Sequence, residues 1–236
     1  MKYLKTDAML MDMDSGEDVQ TATGLLTSRA EELRQQLVVR PAGQGPLARA
    51  DLLLELGRTL NDLGEGEEAW DAGREAFDLY MAQESREAAV QACDILFLAD
   101  QPESLAALGQ GLWLAVTFPM DAELSVAMLQ HVVEETPPDS DGAAVAATAA
   151  HYIVELRAPE GKERENLLFY TNQMLATVAR RHSAVHDQEA FARWFKKLEL
   201  DDPARFLPRL RNIVDVLVQD NWWFDRDTLQ AKLPVN

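Results

Sequence analysis

A chain of 236 residues with 47% hydrophobic side chains is long enough to bury a sizeable core, and 40 acidic against 22 basic residues give it a formal charge of −18. Such an excess repels phosphate backbones and anionic lipid. It argues against nucleic-acid and membrane binding, and favours either plain solubility or a basic protein partner. The single cysteine, Cys93, has nothing within the chain to pair with, so a reducing, cytoplasmic location is expected.

The opening MKYLKTDAMLMDMDSGED has lysines, but Asp7, Asp12 and Asp14 break up any apolar run, and no signal peptide is read there. Residues 1–14 are expected to form a mobile or loosely packed arm, with Leu4, Met9 and Met11 available for packing. DMDSGED at 12–18 partly resembles a calcium loop. Its glycine falls one place early and the closing glutamate is missing, so no metal is expected. Ser15 to Asp18 can cap a helix whose stripe is Val19, Ala22, Leu26, Ala30, Leu33 and Leu37. RPAGQGP then reads as a loop, with Pro46 suited to a first helical position.

Leu53, Leu56, Leu60 and Leu63 recur at helical spacing, Gly64 stands where a helix would end, and Ala69, Ala72, Ala76 and Tyr80 resume the period. The pattern predicts two amphipathic helices joined by a tight turn. Leu56-Gly57, Leu60, Gly64, Ala69 and Ala76 resemble one tetratricopeptide repeat, a unit of about 34 residues with small side chains where its helices cross. Leu60 departs from the usual aromatic, Gly73 stands where a large apolar residue is common, and no proline closes the unit at Met81. Leu54 and Arg58 occupy places where one subgroup of that family uses Lys and Asn to clamp a C-terminal carboxylate, so that activity is not expected. One helix pair cannot bury its own apolar face, and neighbouring pairs should stack on it.

A second pair is expected from Ser85 to Ala99 and from Pro102 onward, the latter carrying Leu105, Leu108, Leu112 and Ala115 with Gly109 and Gly111 in close backbone contact. Asp121 to Glu135 and the small-sided AAVAATAAHYIVEL after the PPDSDG connector make a third. Beyond Ala158 the repeat spacing is lost and aromatic residues rise. Lys162 to Arg181, His186 to Leu198 and Pro203 to Val218 are read as helices, and QDNWWFDRDTLQAKLPVN as an aromatic tail. The fold class is therefore all-α, antiparallel helix pairs stacked as a short solenoid similar to tetratricopeptide repeats, with about ten helices. Its regions are an arm at 1–14, acidic repeats at 15–158 and a helical capping region at 159–236. Of the 40 acidic residues, 28 precede Pro159, against 10 basic ones.

No chemistry is announced by motif. His182 and His186 stand four apart with Asp187 and Glu189 nearby, but RRHSAVHDQE reads as a helix end and HExxH is absent, so no metal site is expected. Cys93 lies on an apolar face and His131 and His151 among apolar neighbours, as core residues do. No catalytic residue and no cofactor are assigned. The sequence favours a non-catalytic interaction protein acting as an accessory, assembly or protective factor. Trp222, Trp223, Phe224 and Trp194 are its candidate partner-binding residues; the first three are adjacent and cannot all face one core, so they either anchor a partner or fold back to cap the last helix pair. The competing reading is an enzyme or ligand-binding protein with a pocket between the helix at Ala143 to Ala150 and the aromatic last third. The run from Phe191 through the tail, with the acidic helical body, resembles nitrogenase-associated accessory factors of nitrogen-fixing bacteria, those of the factor T type. That resemblance implies a bacterial cytosolic protein whose partner is the nitrogenase molybdenum-iron component.

Overall fold

The computed structural model describes residues 1–4, 16–39 and 45–233, with backbone alone for 16–20. Among these residues the chain forms eleven helices and no strand. They are α1 (Gly16–Val39), α2 (Pro46–Leu63), α3 (Gly66–Ala82), α4 (Arg86–Leu98), α5 (Ser104–Thr117), α6 (Ala122–Glu135), α7 (Asp141–Arg157), α8 (Lys162–Ser183), α9 (Gln188–Lys197), α10 (Pro203–Val218) and α11 (Arg226–Gln230). The all-α, solenoid-like class expected from the spacing is the one found. The packing of Met9 and Met11, the cap at Ser15 to Asp18, the calcium reading of 12–18, the side chain of Val19 and most of the loop at 40–46 lie outside the described residues. No described helix is long and apolar enough to cross a membrane.

The chain divides into two compact units, Lys5–Leu114 and Ala115–Asn236, the second including Met1–Leu4. In the N-terminal unit, α1 packs on α2, α2 on α3, and α4 on both α3 and α2. The turn expected between Leu63 and Gly66 is made by Gly64 at φ 76°. This left-handed conformation lets the Gly64 N–H reach the Asn61 carbonyl at 3.0 Å and the Glu65 N–H that of Leu60 at 2.9 Å. Small residues at the crossing have the anticipated mechanical cause. A Cβ at Gly57 would stand 2.8 Å from Ile95 Cγ2 and 3.5 Å from the Ala69 carbonyl oxygen. Gly73, the departure from the repeat pattern, faces Leu96, which would meet an added Cβ at 3.1 Å. Leu96 of α4 thus fills the space that a large residue at 73 would claim.

In the C-terminal unit the central element is α7, packed against α6, α8 and α10. Every side chain from Ala143 to Ala150 is at most 5% exposed. Such a run has no amphipathic stripe because its whole circumference is covered, and alanine permits backbones to approach from several sides. Carboxylates and hydroxyls cap the helix starts: Asp121 for α6, Ser140 for α7, Asp187 for α9, Asp202 for α10 and Asp225 for α11. Pro102 lies in the turn before α5 rather than opening it, and Pro208 is an exposed residue inside α10, which continues past it to Val218.

The ends of these helices are closed by arginines. Arg157 donates to the Ala115 and Val116 carbonyls at 2.6 and 2.8 Å, at the end of α5. Arg164 donates to Glu155 and Ala158 at the end of α7, Arg181 to Val133 in the last turn of α6, and Arg209 to Leu198 after α9. Each places a cation where a helix leaves unpaired carbonyls and the negative end of its dipole. Burial lowers the Arg157 pKa from its ordinary value, leaving the group a fixed cation. The N-terminal residues are held by a buried acid: Glu123, 2% exposed, accepts from the Tyr3 and Leu4 N–H groups at 2.6 and 3.1 Å.

Candidate functional site

The tail is shaped by what surrounds its aromatics. α10 ends at Val218 with Gln219 at φ 54°, and the Asn221 N–H returns to the Val218 carbonyl at 3.1 Å. The chain then runs through Trp222, Trp223 and Phe224 into the cap of α11. There Asp225 accepts from the Asp227 and Thr228 N–H groups at 3.0 and 3.1 Å and from the Thr228 hydroxyl at 2.7 Å. The Thr228 hydroxyl and N–H hold the Asp225 carboxyl below the ordinary carboxylate range.

Arg226, the first residue of α11, lays its guanidinium over Trp222, 4.0 Å from the ring centroid, while its Nη1 meets Asp215 of α10 at 2.9 Å. Trp222 meets Phe224 edge to face, with centroids 5.8 Å apart at 66°. All three aromatics are half-buried. None is wholly enclosed, in line with the geometric argument that adjacent aromatics cannot share one core. The result is a Trp222–Phe224 pair braced by an arginine that is itself ion-paired, so these two rings are held in place with part of their surface outward.

Trp194 belongs to a different group. It lies on α9, is 5% exposed, and packs with Phe191 at 5.6 Å and Phe195 at 6.5 Å between centroids. Its indole N–H donates to His182 Nδ1 at 3.1 Å. His182 and His186 do not converge: α8 stops at Ser183, Ala184 takes φ 49°, and His186 is an exposed residue past the turn. His182 Nε2 instead meets Asp141 at 3.1 Å. Among the described residues, no group of three or more His, Cys, Asp or Glu could hold a metal.

Other candidates resolve as core chemistry. Cys93 is fully enclosed, and burial pushes its thiol well above the ordinary value, which disfavours the thiolate. His151 Nδ1 is 2.9 Å from the Thr171 hydroxyl, and burial pushes its pKa down. The alanine run at Ala143 to Ala150 is covered by packed helices. A cleft of about 240 Å³ lies instead at the α8–α9 elbow, lined by Ala176, Ala179, Arg180, Val185, His186 and Phe191 among others. Sequence spacing signalled neither the buried Glu123, nor the arginines that end on carbonyls, nor the bond between His182 and Trp194. Their partners stand 119, 42, 48 and 12 residues away.

Compared with known families, curated proteins and solved structures, the chain shows no significant match. The resemblance to nitrogenase-associated factors thus rests on the residues that suggested it.

Proposed function

We propose that this chain is a non-catalytic protein-interaction module, an accessory, assembly or protective factor that docks on a larger protein through its C-terminal aromatic group. The observation that carries the reading is the Trp222–Phe224 ring pair, half-buried like the adjacent Trp223, with Trp222 braced by Arg226 and Asp215. Aromatic anchors held in a fixed pose bind with little further ordering, and they dominate affinity where they insert into a partner pocket. The charge distribution supports a protein partner over a polyanion, since the N-terminal unit carries 21 acidic and 8 basic residues.

The nitrogenase molybdenum-iron component is the specific partner that the resemblance of Phe191 to the tail suggests. Affinity capture from the native host with mass spectrometry, together with direct binding to purified molybdenum-iron protein, tests both levels. The proposal expects a stoichiometric protein partner, lost in a folded Trp222→Ala/Phe224→Ala double variant. Unchanged partner binding by that variant would remove the aromatic group from the interface. Failure of the purified molybdenum-iron protein alone would remove only the specific partner.

A further inference from the structure

Helix α9 has a light attachment for an element bearing three aromatic side chains. It packs on α8, and Trp194 is its one fully buried residue. The indole has a single polar atom, and an indole N–H can only donate. His182 Nδ1, 3.1 Å away, accepts this hydrogen when it carries a lone pair, which places the ring hydrogen on Nε2. That hydrogen points at Asp141 Oδ1, 3.1 Å away. The second oxygen of Asp141 accepts from Arg209 Nη2 at 2.9 Å, and Arg209 Nη1 donates to the Leu198 carbonyl at 2.7 Å. One polar chain thus runs from α9 through the end of α8 and the start of α7 to α10, and returns to the end of α9.

We infer that His182 is a proton-sensitive latch for α9: the neutral ring holds Trp194 and seats the helix, and protonation of Nδ1 releases it. An added Nδ1 proton would set two donors face to face, which breaks the bond to the indole. The Ser183 hydroxyl, 2.6 Å from the same nitrogen, donates to it in the neutral ring and can turn to accept the new hydrogen. The charged groups facing the ring are Asp141 from α7 and, through that carboxylate, Arg209 from α10. α9 presents the indole, and on α8 the neighbouring Arg181 is turned to the Val133 carbonyl of α6. Asp141 can accept from the ring in either state and strengthens its hold on the cation. The protonated state therefore has partners at both nitrogens, and what it loses is Trp194. A buried indole N–H without an acceptor is costly, and α9 relieves that cost by lifting. Lifting exposes Phe191, Trp194 and Phe195 and opens the neighbouring cleft, which Phe191 lines.

The test uses the full chain labelled with fluorotryptophan, its Trp194 resonance identified by its loss in Trp194→Phe. Fluorine NMR and limited proteolysis within 188–198 are followed from pH ~8 to ~5, the interval in which imidazoles change charge. The latch predicts a pH-dependent Trp194 resonance and about tenfold faster cleavage at the acid end, the factor expected from one lost buried hydrogen bond. His182→Gln can accept from the indole and donate to Asp141 at every pH, and should abolish both changes. A Trp194 resonance that ignores pH, or a His182→Gln profile equal to that of the unaltered chain, would overturn the latch.

Discussion

Three arginines of the N-terminal unit reach carboxylates on neighbouring helices, whereas four of the C-terminal unit donate to backbone carbonyls at helix ends. Arg29 pairs with Glu55, Arg34 with Glu65 and Glu68, and Arg49 with Glu75, all with side chains more than a third exposed. Arg157, Arg164, Arg181 and Arg209 instead close the ends of α5, α7, α6 and α9. The two uses differ physically. An exposed pair exchanges one well-solvated state for another and is screened by salt, whereas a half-buried guanidinium on helix carbonyls satisfies acceptors that water reaches poorly. Arg29, Arg34 and Arg49 therefore moderate repulsion among the many carboxylates of the acidic unit, and Arg157, Arg164, Arg181 and Arg209 fasten helices of the C-terminal unit.

The comparison can be strained from both sides. Ala146→Leu, in the fully enclosed α7, should cost about 3 kcal/mol in urea unfolding, because no neighbour can move without displacing another helix. Gly66→Ala tests the N-terminal unit. Its new Cβ would stand 2.3 Å from the Ala99 carbonyl oxygen, a backbone atom, and a loss of about 2 kcal/mol is expected. Cys93 should react with a thiol reagent only as fast as that unit opens, so the labelling rate should follow its unfolding free energy when denaturant is added.

Acid should weaken the C-terminal unit through two groups of the same sign. The Glu134 carboxyl is held below the ordinary range by His131 at 3.8 Å and then by Gln130, so it contributes stability above its unfolded pKa that is lost as pH falls through the folded value. His151 is kept neutral by burial, so stability falls as pH drops through its unfolded value and stops falling below its folded one. Glu134 is more than half exposed, and Glu134→Gln should flatten the acid limb of stability against pH by under about 1 kcal/mol.

Much of this architecture is written in local pattern. The α2–α3 pair was legible because leucine spacing, a helix-ending glycine and the crossing alanines all act within one turn of the chain. Close packing of α7 was legible because alanines at successive turns let neighbouring backbones approach, while its enclosure by three helices was not. The tail aromatics could be singled out by adjacency alone. What stayed hidden depends on distant partners. Arg157 looks like any solvated arginine until its α5 acceptors are known, and Glu123 looks like a first-turn acid until Tyr3 and Leu4 dock on it. Trp194 reads as a candidate partner-binding aromatic and His182 as a helix-end histidine, and their bond depends on how the elbow at Ala184 turns α9 back.

Urea unfolding of Arg157→Ala and Arg34→Ala at low and high salt bears most directly on the contrast between the two units. Arg157→Ala should lose about 3 kcal/mol with little dependence on salt, because two helix carbonyls lose their donor. Arg34→Ala should lose under about 1 kcal/mol, and less still at high salt. Equal losses, or a salt dependence shared by both variants, would contradict the account.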